Sequence, residues 1–219
     1  VKGLPELEQL MLHKIYVLND NFKKYFNNYD FHNLYKELLN FCTVDLSAFY
    51  FDIRKDNLYC DSKDSEKRKS TILLLNTILN ALLKWFAPIL SFTTEEIFKL
   101  LFKDKKSIHL EKFLEFPDKF KNEKLSDKWS ELIKIRNICN ISIEEKRASK
   151  EIGSSLEADL KIQLNQKLKN LLENIDFSEL CITSKADVIY KDDIETKAIA
   201  SKAKGTKCTV CWKINEGSC

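Results

Sequence analysis

The residues best suited to chemistry lie at the C-terminus, in Cys208-Thr-Val-Cys211-Trp-Lys-Ile-Asn-Glu-Gly-Ser-Cys219. A Cys-x2-Cys pair on a turn brings two thiolates to one ion, and structural zinc takes four ligands in a tetrahedron. Cys219 is placed as the first cysteine of a second pair, so Cys208, Cys211 and Cys219 are expected as three ligands of a structural zinc site. The fourth ligand is missing from this sequence, and the chain is expected to be a fragment cut within that site. A redox Cys-x2-Cys should open a helix in a βαβ unit; this one follows a predicted strand and a Lys-Gly-Thr-Lys turn. The other cysteines, at 42, 60, 139 and 181, are scattered singly, as in proteins of reducing compartments.

A second constellation is Asp45 and Asp52, seven residues apart on a helix stripe that is otherwise apolar. They could form an acid/base pair. The structural alternative is that each has a partner, Arg54 or Arg68 being the obvious candidates, or lies at a wet edge, because buried charges are costly unless paired. Other catalytic patterns are absent: no glycine-rich phosphate loop, no His-Glu-x-x-His, and three histidines with no visible partners. No catalytic residue is assigned.

These residues must be held by mostly helical elements. The 219 residues are 44% hydrophobic and 32% charged, with only 4 glycines and 3 prolines, a balance that favours helices over a turn-rich β protein. Leu7, Met11, Ile15, Leu18, Phe22, Tyr25 and Tyr29 mark a first helix. Leu34, Leu38, Phe41 and Phe49 mark a second, from about 31 to 53. A third, about 66–86, should turn Ile72, Leu75, Ile78, Leu79, Leu82 and Phe86 inward and stop at Pro88. Thr93-Thr94-Glu95-Glu96 reads as a capping box for a fourth, with Ile97, Leu100 and Leu101 inward. Residues 103–125 read as an irregular connection. Ser126 should cap a fifth helix to about 147, carrying Trp129, Leu132, Arg136, Cys139 and Ile143. After Gly153 the period becomes two, with Leu156 to Leu164 forming a half-buried strand. A short helix near 166–174 and strands near 180–183, 187–190 and 196–203 follow.

The expected fold is therefore mainly α: an antiparallel helical bundle (1–150), then a small α/β unit (151–204) and the truncated zinc-binding tail (205–219). There is no signal segment and no apolar run of 18 residues, so neither secretion nor a membrane span is expected. A cytoplasmic monomer is. The net charge is only +3, but Lys197, Lys202, Lys204, Lys207 and Lys213 face a single acid, Glu216, in the tail. That local excess suits phosphate. Basic residues near aromatics at Phe51-Asp-Ile-Arg54-Lys55, Lys84-Trp85-Phe86 and Trp212-Lys213 suit unpaired RNA bases, although core packing is the commoner use for most of these rings, with Trp85 and Trp212 the best candidates for exceptions.

The string Tyr29-Asp30-Phe31-His32, followed by Phe41-Cys-Thr-Val-Asp-Leu-Ser-Ala-Phe-Tyr-Phe-Asp52 and Arg54-Lys55-Asp56, closely resembles the anticodon-binding helical domain of bacterial-type isoleucyl-tRNA synthetases. Ala87-Pro-Ile-Leu-Ser-Phe-Thr-Thr-Glu-Glu-Ile97 is similar too, but is shared with the valine, leucine and methionine relatives. Arg136, Glu144, Arg147 and Ile152-Gly-Ser-Ser-Leu-Glu-Ala158 resemble the segment that joins the bundle to the family's C-terminal part. Cys208-x2-Cys211-Trp212 resembles the start of its zinc module.

The resemblance implies a class I synthetase that charges tRNA(Ile). Its ATP- and magnesium-dependent chemistry would belong to a catalytic domain whose His-Ile-Gly-His and Lys-Met-Ser-Lys-Ser signatures are not in this sequence. This piece would grip the anticodon stem and loop. Arg54, Lys55, Lys84, Trp85, Arg136, Arg147, Lys150, Lys204, Lys207, Trp212 and Lys213 are the candidate tRNA contacts. The alternatives are a helical-bundle and zinc-ribbon module for protein partners, the same domain from a valine, leucine or methionine enzyme, and a stand-alone enzyme using Asp45 or Asp52.

Overall fold

The computed structural model describes residues 3–217. Contacts divide the chain between Glu123 and Lys124 into two compact units.

The first unit is helical. Helix α1 (Glu6–Asn27) is followed by α2 (Phe31–Asn40), which runs into a π-helical stretch (Phe41–Phe51) and then α3 (Asp52–Tyr59), α4 (Glu66–Phe86) and α5 (Ser91–Leu101). Side-chain caps start α2 and α4: Asp30 accepts from the Asn33 amide, and Ser65 accepts from the Arg68 amide, each satisfying an N–H that has no intrahelical partner. The α1 stripe Leu7, Met11, Ile15, Leu18 and Phe22 is buried as its spacing predicts. The stripe ends there, since Tyr29 is 82% exposed in the left-handed turn after α1.

The π-helical stretch changes which residues face inward. Its wider turn carries the buried row from Leu38 and Phe41 to Leu46 and Tyr50. Asp45 and Asp52 therefore leave the stripe that an α-helical period assigns them. Asp45 pairs with Lys14 at 2.9 Å, and Asp52 pairs with Lys55 at 3.1 Å. The two carboxylates have separate partners on a half-exposed surface, which removes the acid/base pair.

Helix α4 is apolar nearly all round, so its pattern leaves the rotational phase open. The buried face is Thr71, Leu74, Ile78, Ala81 and Trp85, while Ile72 and Leu79 are 44% and 39% exposed. In α5 the inward residues are Thr94 and Phe98; Ile97, Leu100 and Leu101 are exposed. The helix opens at Ser91 rather than at the Thr93-Thr94 box, and Thr94 turns its hydroxyl back to the Leu90 carbonyl. Phe98 closes a small cluster with Leu83, Ala87 and Ile108.

The connection after α5 is pinned, although it is irregular. Glu95 accepts from the Ser107 hydroxyl and the Ile108 amide, Asn19 donates to the Leu114 carbonyl, Tyr16 donates to Asp118, and the Asn122 amide donates to His13. The two hydrogen bonds from Ser107 and Ile108, the amide first, hold the Glu95 carboxyl below its ordinary range.

The second unit has α6 (Glu123–Ala148) as its long helix. Sequence periodicity reads this helix as the bundle's fifth. Within its unit, Arg136 Nε donates to the Leu180 carbonyl at 2.9 Å, and Ser142 Oγ accepts from the Ala200 amide at 2.8 Å. A three-stranded sheet has the order β2-β1-β3, with β1 (Ala158–Asn165) parallel to β2 (Lys185–Lys191) and antiparallel to β3 (Lys197–Lys202). The register places Lys161 opposite Asp187 and Ile199. Ala158, Leu160, Ile162 and Leu164 face the core, as alternation predicts.

Between β1 and β2 lie two one-turn helices, α7 (Lys169–Leu172) and α8 (Phe177–Leu180). The segment expected as a strand at 180–183 is instead the last residue of α8 and the turn that follows it; Asp176 caps the helix by accepting from the Ser178 and Glu179 amides. Buried Cys139 and Cys181 are hydrogen-bonded thiols; that bond holds Cys139 low and, with burial, pushes Cys181 up. The short hairpin of β4 (Thr206–Lys207) and β5 (Ile214–Asn215) ends the described chain. Gly205 is required there: its φ is +126°, and a Cβ would lie 2.3 Å from the Asn215 carbonyl oxygen.

Candidate nucleic-acid interface

Four of the candidate contacts, Arg54, Trp85, Lys84 and Arg136, are committed to internal structure. Arg54 is 3% exposed. Its Nε and Nη2 donate to the two oxygens of Glu8 at 2.6 and 2.8 Å, and Tyr50 and Thr71 donate to the same carboxylate at 3.1 and 3.3 Å. Trp85 is fully buried and donates its indole N–H to Asn19 at 3.0 Å. Neither reaches solvent, so neither contacts a ligand in this structure. Their burial has a physical reason: a two-oxygen, two-nitrogen ion pair and a large ring with a partnered N–H are both stable inside a core.

Lys84 keeps only 11% of its side chain exposed and donates to the Lys112 carbonyl at 3.0 Å. Arg136 is bound to Leu180, as above. Lys55 is half-exposed beside Asp52.

Sequence periodicity overlooked Glu8, although the signal was present. Residues 8, 11, 15, 18 and 22 share the inward face with alternating steps of three and four, which places a carboxylate on the apolar stripe. Its burial is complete.

The remaining candidates all belong to the second unit. Arg147 and Lys150 are exposed where α6 ends. Arg147 pairs with Glu144 at 2.7 Å. Lys204 and Lys207 are exposed before and in β4, and Lys213 is half-buried before β5. Trp212, 60% exposed, sits in the left-handed region with φ 63°, and the Lys207 ammonium lies 5.9 Å from its ring centre. An exposed indole beside a cation can stack on a base while the cation meets a phosphate. Lys207 also reaches Glu157 at 3.5 Å. The Gly153 amide, the larger influence, and Lys207 both hold the Glu157 carboxyl low.

Cys208 and Cys211 flank a tight turn. The Cys208 amide donates to the Lys213 carbonyl at 2.8 Å, and the Trp212 amide donates to the Cys208 carbonyl at 3.1 Å. The Val210 amide donates to Cys208 Sγ at 3.4 Å. Both cysteines are half-buried. Cys219 lies outside the described residues, and among the described residues no group of three or more His, Cys, Asp or Glu could hold a metal ion.

Residues 8–164 match the family model described as the anticodon-binding domain of tRNA ligase. The chain belongs to that family of anticodon-binding domains. Along its whole length it is 66% identical to an isoleucine–tRNA ligase of Pelagibacter ubique, covering 100% of this chain and 24% of that protein. It is 38% identical over 225 residues to the isoleucine–tRNA ligase of Bartonella henselae, and 37% identical over 222 residues to that of Agrobacterium fabrum. These cover 98% and 96% of this chain and 23% of each relative. The chain thus spans about a quarter of the length of the curated relatives it matches.

Proposed function

We propose that this chain is the part of an isoleucine–tRNA ligase that grips the anticodon stem and loop of tRNA(Ile), in the service of ATP- and magnesium-dependent charging performed by another part of such an enzyme. The observation that carries the reading is the end-to-end similarity to isoleucine–tRNA ligases, together with the domain match over 8–164. The comparisons do not favour a module for protein partners, or a valine, leucine or methionine enzyme.

The geometry supports a division of labour. Exposed cations of the second unit (Arg147, Lys150, Lys204 and Lys207) meet phosphates and fix the position of the RNA, while Trp212 stacks on a base. In the first unit, Tyr59 at the end of α3 is 86% exposed and offers a second ring face. Zinc, held by Cys208, Cys211 and Cys219 with a fourth ligand from outside this sequence, would brace the terminal hairpin and serve no chemical step. No helix among the described residues is long and apolar enough to cross a membrane. A monomer working in the cytoplasm is the state proposed.

The test is equilibrium binding of the chain to a labelled tRNA(Ile) transcript and to the same transcript with its anticodon loop scrambled. Tighter binding to the intact loop is expected. Equal affinity for both removes specific readout from this chain.

A further inference from the structure

Where α6 ends, the second unit has an open groove of about 620 Å³, lined by Arg147, Lys150, Glu151, Gly153, Glu157 and Lys202 among others. Its volume falls within the roughly 300–1,000 Å³ of small-ligand sites. The acids of this groove already have partners. Glu144 holds Arg147 at 2.7 Å, Glu151 holds Lys146 at 3.0 Å, and Glu157 accepts from the Gly153 amide at 2.9 Å and lies 3.5 Å from Lys207. Lys150 and Lys202, both exposed, are in no ion pair within 4 Å among the described residues, although Lys202 is close enough to Glu157 to favour its charge. The groove therefore presents two uncommitted ammonium groups between walls whose negative charge is already balanced.

The backbone under Lys150 is unusual for its residue type. Helix α6 closes with the Glu151 amide donating to the Lys146 carbonyl at 3.1 Å and the Lys150 amide donating to the Arg147 carbonyl at 3.0 Å. This turn needs a left-handed residue after the helix, and glycine is the unstrained choice. Here the position is Lys150, with φ 60°.

We propose that this groove is a phosphate-binding site for the RNA backbone, with Lys150 and Lys202 as its two contacts and Arg147 on its wall. The inference rests on the tRNA-binding reading and adds a place and a new residue to it. Lys202 projects from β3 into a groove that the spacing of the sequence does not reveal.

The test measures the Kd of the full chain for a labelled tRNA(Ile) transcript across a salt series, together with the melting temperature. Lys150→Gly should have effects of opposite sign: a higher melting temperature, because the strained position is relieved, and weaker binding by about threefold at moderate salt. Lys150→Gly with Lys202→Gln should lower the slope of log K against log salt by roughly 1.4–1.8, two phosphates' worth. Lys191→Gln, an exposed lysine of β2 outside the groove, should leave the slope nearly unchanged.

An unaltered slope in the double variant, with the parent chain still binding, overturns the groove alone. An equal loss from Lys191→Gln does the same, because it would show diffuse attraction. Failure of the parent chain to bind the transcript at all overturns the tRNA-binding reading and the groove with it.

Discussion

Replacing Arg54 by methionine removes one half of a buried ion pair and leaves Glu8 without its cation in a site where both residues are at most 4% exposed in their side chains. Breaking a buried pair in this way costs about 3–5 kcal/mol, because the remaining charge is desolvated. At about 1.4 kcal/mol per tenfold, the ratio of folded to unfolded first unit should fall by about two to three and a half powers of ten. Trp85 is the tryptophan of that unit and is packed against Phe22 and Phe41. In a Trp129→Phe, Trp212→Phe background its fluorescence follows urea unfolding of the first unit alone. The midpoint should shift down by at least about 1 M, given slopes of roughly 1–3 kcal/mol per molar urea.

Glu8→Met should cost a comparable amount. The double variant should cost less than the sum of the two, by about 2 kcal/mol or more, because neither charge is then orphaned. Near-additive losses of under about 1 kcal/mol each would refute the buried-pair argument. Molecules of Arg54→Met that remain folded should bind RNA as the parent does, since the guanidinium does not reach solvent.

Glu95 has its carboxyl pKa lowered from 4.5, first by the Ile108 amide and also by Ser107 and Lys99. A lowered folded pKa stabilises above the ordinary carboxylate range and is lost as pH falls through the folded value. Glu95→Gln should therefore destabilise the first unit at pH 7, and the difference from the parent should shrink below about pH 4.5, as measured by urea midpoints. Cys139 and Cys181 are buried, so mass spectrometry after brief iodoacetamide treatment should find them unmodified in the native chain and alkylated in urea. Trp212→Ala should weaken tRNA binding by about 1–3 kcal/mol with little change in salt slope; a change in slope without loss of salt-independent affinity would contradict stacking.

The features legible in the sequence were those fixed by a clear period. The α1 stripe from Leu7 to Phe22 and the β1 alternation from Ala158 to Leu164 face inward as expected. The phases of α4 and α5 were not legible, because apolar residues surround both helices and only tertiary partners decide. For α4 those partners are Glu8 for Thr71 and Asn19 for Trp85. Local periodicity also cannot announce a π-helical stretch, and that stretch moved Asp45 and Asp52 out of the core. At the candidate interface, charge and aromaticity identified Arg147, Lys150, Lys207 and Trp212 at the surface. The same signals also selected Arg54 and Trp85, which are internal. A basic or aromatic residue type does not state its exposure, and Glu8, the partner that buries Arg54, is 46 residues away.

The central claim is that this chain reads the anticodon region of tRNA(Ile). The most direct measurement transplants the anticodon loop of tRNA(Ile) into a tRNA for a different amino acid and compares the Kd of the chain for the donor, the recipient and the chimera under one salt condition. The account predicts that the chimera binds like tRNA(Ile) and more tightly than the unmodified recipient. A chimera that binds no better than the recipient, while tRNA(Ile) itself binds tightly, would contradict it.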